Sequence, residues 1–427
     1  MSLLLINASV ITCDEKGTLI KDGAVGIKDG IIDYAGLVQG NLVENYERVI
    51  DLRGKAIMPG FVNAHNHAAM TMFRNYADDL KLMDWLFDKI FPLEDKLTEE
   101  DAYWASSLAM LEMIKGGTTA FCDMYMFMDK TAEAVAQSCM RAALGRGLQG
   151  ESAEGADHRI SEALELYKSF HNSSNRRIRV NLAPHSVYTC SFPYLEKVAR
   201  VAREIKADIQ IHLSETTDEV KNCIEKYGMS PIKLADKAGL LNERTIAAHC
   251  VVVDDEDMEI LKEKKVNVVH NPGSNMKLAS GIAPIKAMAD MGINIALGTD
   301  GASSNNNLDM LEEMRTATYL QKVITKDPTA LPVDQVLRMA TINGARALGF
   351  DNVGEVKKGM AADLIVINTD KPWYYPKYNV KSAILYSGNS SDVEFVIIDG
   401  NIVMEKGQVL TMDEERILYE VQKRAFD

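Results

Sequence analysis

The chain has 427 residues, 47% of them hydrophobic and 25% charged, a length that suits two domains or one barrel-sized domain with an addition. Its formal charge of −14 excludes a partner held mainly through phosphates, so neither nucleic acid nor an anionic membrane surface is expected, whereas a small neutral or zwitterionic ligand is compatible. No apolar run approaches the ~20 residues needed to cross a bilayer, and the six cysteines (Cys13, Cys122, Cys139, Cys190, Cys223, Cys250) form no CxxC pair, which suits core thiols in a reducing compartment.

The first residues, Met1-Ser2-Leu3-Leu4-Leu5-Ile6-Asn7, carry no basic region and no small-residue cleavage site. They read as a first strand and place the protein in the cytoplasm. Short apolar runs at 3–6, 24–27, 31–34 and 48–52 are separated by Lys21-Asp22-Gly23 and Lys28-Asp29-Gly30, and Asp-Gly between such runs signals a hairpin. The far end repeats the pattern, with strands over 363–367 and 394–403 and a tight turn at Asp399-Gly400. Residues 1–56 and 359–427 are therefore expected to build one small sheet domain from both termini.

Between them, over 57–358, strand-like runs alternate with helical stretches, as in repeated βα units on a parallel sheet. The strand candidates are 57–63, 118–123, 142–148, 177–183, 208–212, 245–249, 266–270 and 294–298, and helices are expected over 99–115, 194–205, 254–264, 308–325 and 334–348. Eight such units define an α/β (β/α)8 TIM-like barrel, which typically takes ~250 residues plus insertions. A doubly wound open sheet is the alternative, but no GxGxxG follows any of these strands.

Barrel enzymes gather their chemistry at the C-terminal ends of the strands. Six of the eight histidines fall there: His65 and His67, then His185, His212, His249 and His270, with Asp300 after the last strand. His65 and His67 are one residue apart, so in extended backbone they project to one side and can grip one divalent metal. His65, His67, His212 and Asp300 together would hold a zinc-like ion and leave a position for water, whose pKa drops to ~7 on such an ion. Taken alone, His212 reads more readily as a satisfied core histidine, and Asp300 can be read as a turn aspartate. Glu215, three residues past His212, can move a proton between the attacking water and a ring nitrogen; the competing reading is an ordinary helix-start carboxylate in Ser214-Glu215-Thr216-Thr217-Asp218.

The segments MPGFVNAHNH (58–67), HLSE (212–215), AAHC (247–250), LGTDGASSNNN (297–307) and GMAADLIVIN (359–368) occur in this order over nearly the whole chain. They resemble the amidohydrolase superfamily, and within it the S-adenosylhomocysteine and 5′-methylthioadenosine deaminases. The resemblance implies a barrel with a small β-sandwich and one divalent metal ion, zinc, with His65, His67, His212 and Asp300 as ligands. It implies that Glu215 binds and protonates the purine N1, that His249 orients the attacking water or the leaving group, and that Asp300 takes the water's proton. Glu94 matches a ribose-binding carboxylate, although alone it reads as a solvated charge. His185 matches a substrate-contacting histidine and stands where two-metal relatives place a carbamylated lysine, so one metal is expected. Arg146 and Arg159 match arginines that reach the substrate's tail, in the same or a neighbouring subunit, and Ser303 or Ser304 supplies a further polar contact. Met70, Met72, Met83, Met124, Met126 and Met128 either line a pocket for a thioether or fill core.

These expectations describe a zinc-dependent hydrolytic deaminase of adenine nucleosides, acting on a small-molecule substrate and assembled as a homo-oligomer. A guanine deaminase or a triazine chlorohydrolase shares the metal motif and is the rival within the same branch. A barrel that has lost its chemistry and serves as a scaffold is the rival from another class. The other zinc deaminase design needs a PCxxC segment, and none occurs here.

Overall fold

The computed structural model describes residues 2–152 and 157–425. Its centre is an eight-stranded parallel sheet: β1 (Phe61–Asn66), β2 (Thr118–Tyr125), β3 (Arg141–Leu148), β4 (Ile178–Pro184), β5 (Asp208–Leu213), β6 (Thr245–His249), β7 (Asn267–His270) and β8 (Asn294–Leu297). Each strand pairs with the next in sequence order, and the sheet curls until β8 returns to β1. There the Asp300 amide donates to the His65 carbonyl at 3.0 Å and the Thr299 amide to Asn63 Oδ1 at 3.0 Å. These strands are apolar almost throughout because helices cover the outer face while side chains fill the interior. The expected barrel is present, with strand starts within one residue of those read from the sequence for β2 to β8.

The first strand departs from expectation. The run 57–63 is two strands: Lys55–Pro59 pairs with Ser2–Ile11 and Leu364–Asn368 in an outer sheet, and β1 begins only at Phe61. Gly60 separates them because a Cβ there would lie 2.2 Å from the Thr119 side chain. The boundary expected at residue 57 thus falls inside a strand of the outer sheet, and we propose Gly60 as the crossing point. The outer sheet is mixed, in the order Gln408–Val409, Asn401–Glu405, Val393–Ile398, Leu364–Asn368, Lys55–Pro59, Ser2–Ile11, Leu19–Lys28, Ile31–Leu37, with Arg48–Asp51 beside Ser2–Ile11. Both chain ends contribute to it, as expected.

Two local readings resolve differently. Lys28-Asp29-Gly30 and Asp399-Gly400 are hairpin turns with positive φ (50° and 80°; 51° and 75°), as their Asp-Gly pairs demand. Lys21-Asp22-Gly23 instead lies within one strand, where the register with Ser2–Ile11 slips and forms a bulge. The helix expected over 334–348 is two, Val333–Met339 and Ile342–Ala347, because Thr341 leaves the helical region (φ −132°, ψ −99°). Arg141, at the start of β3, ties barrel to outer sheet: its guanidinium makes a bidentate pair with Asp363 (2.6 and 3.0 Å) and reaches Asp399 at 3.1 Å, with Arg141 and Asp363 both buried. All six cysteines are unpaired, and among the described residues no helix is long and apolar enough to cross a membrane.

Candidate active site

His65 lies in β1 and His67 one residue beyond it, and their rings meet edge to face with centroids 4.9 Å apart. His212, near the end of β5, brings its ring to 4.8 Å from His65 and 5.3 Å from His67. Asp300, three residues past β8, places Oδ1 at 3.2 Å from His67 Nε2 and 3.5 Å from His65 Nε2. His249, the last residue of β6, stands 5.5 Å from His212 on the side of Glu215, whose Oε2 is 3.8 Å from His249 Nε2. The barrel thus brings together side chains from β1, β5, β6 and the β8 loop.

Hydrogen bonds behind the rings fix which nitrogen faces inward. His67 Nδ1 donates to the Met124 carbonyl at 2.7 Å and His212 Nδ1 to the His185 carbonyl at 2.7 Å, leaving both Nε2 lone pairs directed at one point, 3.3 Å apart. His249 Nδ1 donates to Asn275 Oδ1 at 2.8 Å. Asp300 Oδ2 accepts from the Ser274 and Ser304 hydroxyls at 2.6 and 3.0 Å, and Oδ1 from the Gly301 amide at 2.8 Å.

Two nitrogen lone pairs and a carboxylate oxygen aimed at one point repel unless a cation lies between them. His65 is fully buried, yet neither of its ring nitrogens has a hydrogen-bond partner among the described residues. Donor atoms about 2.0–2.2 Å from a tetrahedral ion lie ~3.3 Å from each other, and the separations here are 3.2–3.5 Å. The residues therefore fit a divalent ion. Two sets of three bring their ligand atoms within 4.8 Å of one another, His65–His67–His212 and His65–His249–Asp300, and they share His65.

The electrostatics separate two of the imidazoles from the third. Burial lowers His65 to about 4, and burial with the neighbouring imidazoles holds His212 well below the ordinary histidine range, so both are neutral and able to ligate. Burial opposes charge on His67 as well, but the Asp300 carboxylate outweighs it and raises His67 to about 9, so without a metal a proton sits between this ring and Asp300, and an ion binds there by displacing it. Asp300 is held well below the usual carboxylate range despite its burial, by the His65 and His67 rings. Burial pushes Glu215 up.

Glu215 precedes the helix Thr217–Tyr227, whose N-cap is Thr216, so it is no helix-start carboxylate but part of a tight turn. Ser214 in that turn has φ 53°, His249 φ 75° and Asp300 φ 62°, all in the left-handed region that costs a non-glycine residue ~1–3 kcal/mol. Glu219 holds the turn from behind, accepting the Ser214 amide at 3.2 Å and the Glu215 amide at 2.7 Å. Three positions in or beside the site, each at the end of a different strand, thus carry left-handed backbone.

A cavity of about 310 Å³ opens over this cluster, and its wall carries His67, His212, Asp300, His249 and Glu215 together with Glu94, Arg146, Arg159, His185 and Ser304. Glu94 accepts the Tyr125 hydroxyl at 2.6 Å, and burial raises its carboxyl. Burial lowers His185 to about 3, so it is neutral; its Nδ1 meets the Ser186 and Thr189 hydroxyls. Ser304 faces Asp300, whereas the Ser303 hydroxyl is buried away from the cavity wall. Met70, Met124 and Met126 line the cavity; Met72 and Met128 pack in the hydrophobic core, and Met83 is not on the wall. His270 is buried and likewise off the wall.

Sequence reasoning missed Tyr125, although it ends β2 and so meets the criterion that found the histidines. It also missed Trp85, Leu86 and Phe91, which reach the wall from the segment between β1 and β2 and carry no periodic signal. Ser274 and Asn275, in the short helix Pro272–Lys277 after β7, hold Asp300 and His249.

A parallel barrel with imidazoles and a carboxylate converging at its C-terminal mouth defines a barrel protein built around a divalent-ion site. Residues 56–403 match the model of the amidohydrolase family. The chain is 48% identical to a 5-methylthioadenosine/S-adenosylhomocysteine deaminase of Dictyoglomus turgidum, covering 100% of this chain and 99% of that one. It is 47% identical to the protein of the same name from Acetivibrio thermocellus, covering 100% and 99%. A crystal structure of an adenosine deaminase from Xanthomonas campestris with bound zinc superposes with a TM-score of 0.94 at 33% identity, over 99% of this chain and 97% of that one. The chain belongs to the amidohydrolase family.

Proposed function

We propose that the protein holds one zinc ion between His65, His67, His212 and Asp300 and hydrolytically deaminates the adenine ring of a 5′-thioether nucleoside, 5′-methylthioadenosine or S-adenosylhomocysteine. The observation that carries this reading is a buried Glu215 facing His249 at 3.8 Å, on the same cavity wall as the ligand cluster and Glu94. Relatives 47–48% identical over the whole chain carry the name of that activity. A zinc ion in this setting supplies Lewis acidity and lowers the pKa of a water it coordinates toward ~7.

The chain's own residues do the rest. Glu215, kept protonated longer than a free carboxyl by its burial, donates to N1 and so makes C6 electrophilic. Asp300 takes a proton from the attacking water and passes it to the amino nitrogen. The C6–O bond forms, the C6–N bond breaks and ammonia leaves, while the water's second proton returns to Glu215 in place of the one given to N1. His249, its Nδ1 tethered by Asn275, orients the oxygen at C6. Glu94, steadied by Tyr125, accepts hydrogen bonds from the two ribose hydroxyls. His185 and Ser304 contact the substrate within the cavity, and Arg146 and Arg159 stand toward its tail.

Glu94 with Tyr125 favours a ribose over the bare ring of guanine or a triazine, and the intact ligand set with Glu215 argues against a scaffold. The test is ammonia release from 5′-methylthioadenosine, S-adenosylhomocysteine, adenosine and guanine, with chloride release from a chlorotriazine alongside. Turnover of the thioether nucleosides ahead of the others supports the reading; preference for guanine or the triazine, or no turnover, removes it.

A further inference from the structure

Arg146 belongs to two walls at once. It lines the active-site cavity, and it also lines a neighbouring groove of about 390 Å³ together with Glu99, Asp129, Glu162 and Glu165. Its side chain is only 14% exposed, and two of its donors are already engaged: Nε with Glu162 Oε2 at 2.7 Å and Nη1 with the Gly147 carbonyl at 2.7 Å. Glu162 sits on the helix His158–Phe170, one turn from Arg159, which lines the cavity but not the groove.

From this geometry we infer that Glu162 is a specificity-determining residue, which sets the preference between adenine nucleosides with an uncharged 5′-thioether tail and those whose tail ends in a carboxylate. The inference rests on the deaminase reading and deepens it. A guanidinium is the natural fork for a carboxylate. Here Glu162 occupies that fork, so an incoming carboxylate has to displace it. The other three carboxylates of the groove have lysine partners, Glu99 and Asp129 at 4.0 and 3.9 Å from Lys130 and Glu165 at 3.9 Å from Lys168, so Glu162 is the acid that competes for the guanidinium. An uncharged methylthio tail meets Met124 and Met126 on the same wall and is indifferent to this contest.

The test is kcat/KM for 5′-methylthioadenosine and S-adenosylhomocysteine in the full-length, metal-loaded protein and in Glu162→Gln. Glu162 is half exposed (52%), so the substitution leaves the core intact. The ratio of S-adenosylhomocysteine to 5′-methylthioadenosine is expected to rise about three- to fivefold, the range of a partly exposed ion pair. The charge reversal Glu162→Lys should raise it further, and the gain should vanish when Glu162→Gln is made in an Arg146→Met background. An unchanged ratio, or a gain that survives loss of Arg146, overturns the inference while leaving the deaminase reading intact. A wild-type protein that releases no ammonia from either nucleoside fails the deaminase reading instead, and the inference with it.

Discussion

Glu215 is the residue on which the proposed chemistry turns, and its place follows from a strained backbone. Ser214 at φ 53° and the two amides bound by Glu219 swing the carboxyl off the helix that follows and toward His249. Glu215→Gln keeps the side chain's shape and removes its proton, so turnover should fall by about 10²–10⁴ with metal content unchanged; normal turnover in that variant would take Glu215 out of the mechanism. Ser274 acts one step further back, because its hydroxyl fixes Asp300 Oδ2 at 2.6 Å. Ser274→Ala should weaken metal affinity by about 10–100-fold in chelator competition, and an affinity equal to the native protein's would show that Asp300 needs no such support. His65, His67, His212, His249 and Asp300 were legible because a polar side chain at the end of an apolar strand is costly unless used. Ser274, Asn275 and Glu219 were not, since each matters only through a partner on another strand.

At the scale of elements, two buried carboxylates join pieces of the fold far apart in sequence. Asp363 pairs with Arg141 across the barrel and the outer sheet, with 4% of the arginine side chain exposed and none of the aspartate. Arg141→Ala leaves Asp363 buried without its counter-charge and should cost about 3–5 kcal/mol in denaturant unfolding; a loss below ~1 kcal/mol would show that solvent reaches the junction. Glu313, on the helix Met310–Thr325, accepts the Gly273 amide at 3.0 Å and the Asn305 side-chain amide at 2.9 Å, and burial raises its carboxyl from 4.5 to about 8. A raised acid contributes stability that is whole below pH 4.5 and is lost as pH rises through about 8. Stability of the native protein should therefore fall between those values, by at most ~1.4 kcal/mol per pH unit from this group. Glu313→Gln should flatten that slope in melting curves recorded from pH 5 to pH 9, and identical slopes would contradict the assignment. Strand positions were readable from apolar runs flanked by turn residues. The break at Gly60 was not, because residues 57–62 read as one buried run and the need for a glycine at 60 comes from Thr119, on a strand far away in sequence.

For the molecule as a whole, the barrel brings His65, His212 and Asp300 together from positions up to 235 residues apart, and the outer sheet closes over both chain ends. The architecture was legible from the alternation of strand and helix signals. Which wall each loop lends to the cavity was not, because Trp85, Leu86 and Phe91 enter it from a segment without a repeating pattern. That one divalent ion at this convergence point drives hydrolysis of an adenine nucleoside is the proposal from which the rest follows. It is tested most directly by stripping the protein with chelator and following ammonia release from 5′-methylthioadenosine as zinc is added back. The stripped protein should be inactive, and activity should rise linearly up to one equivalent of zinc per chain; full activity without metal, or a rise that continues to two equivalents, would sink the proposal.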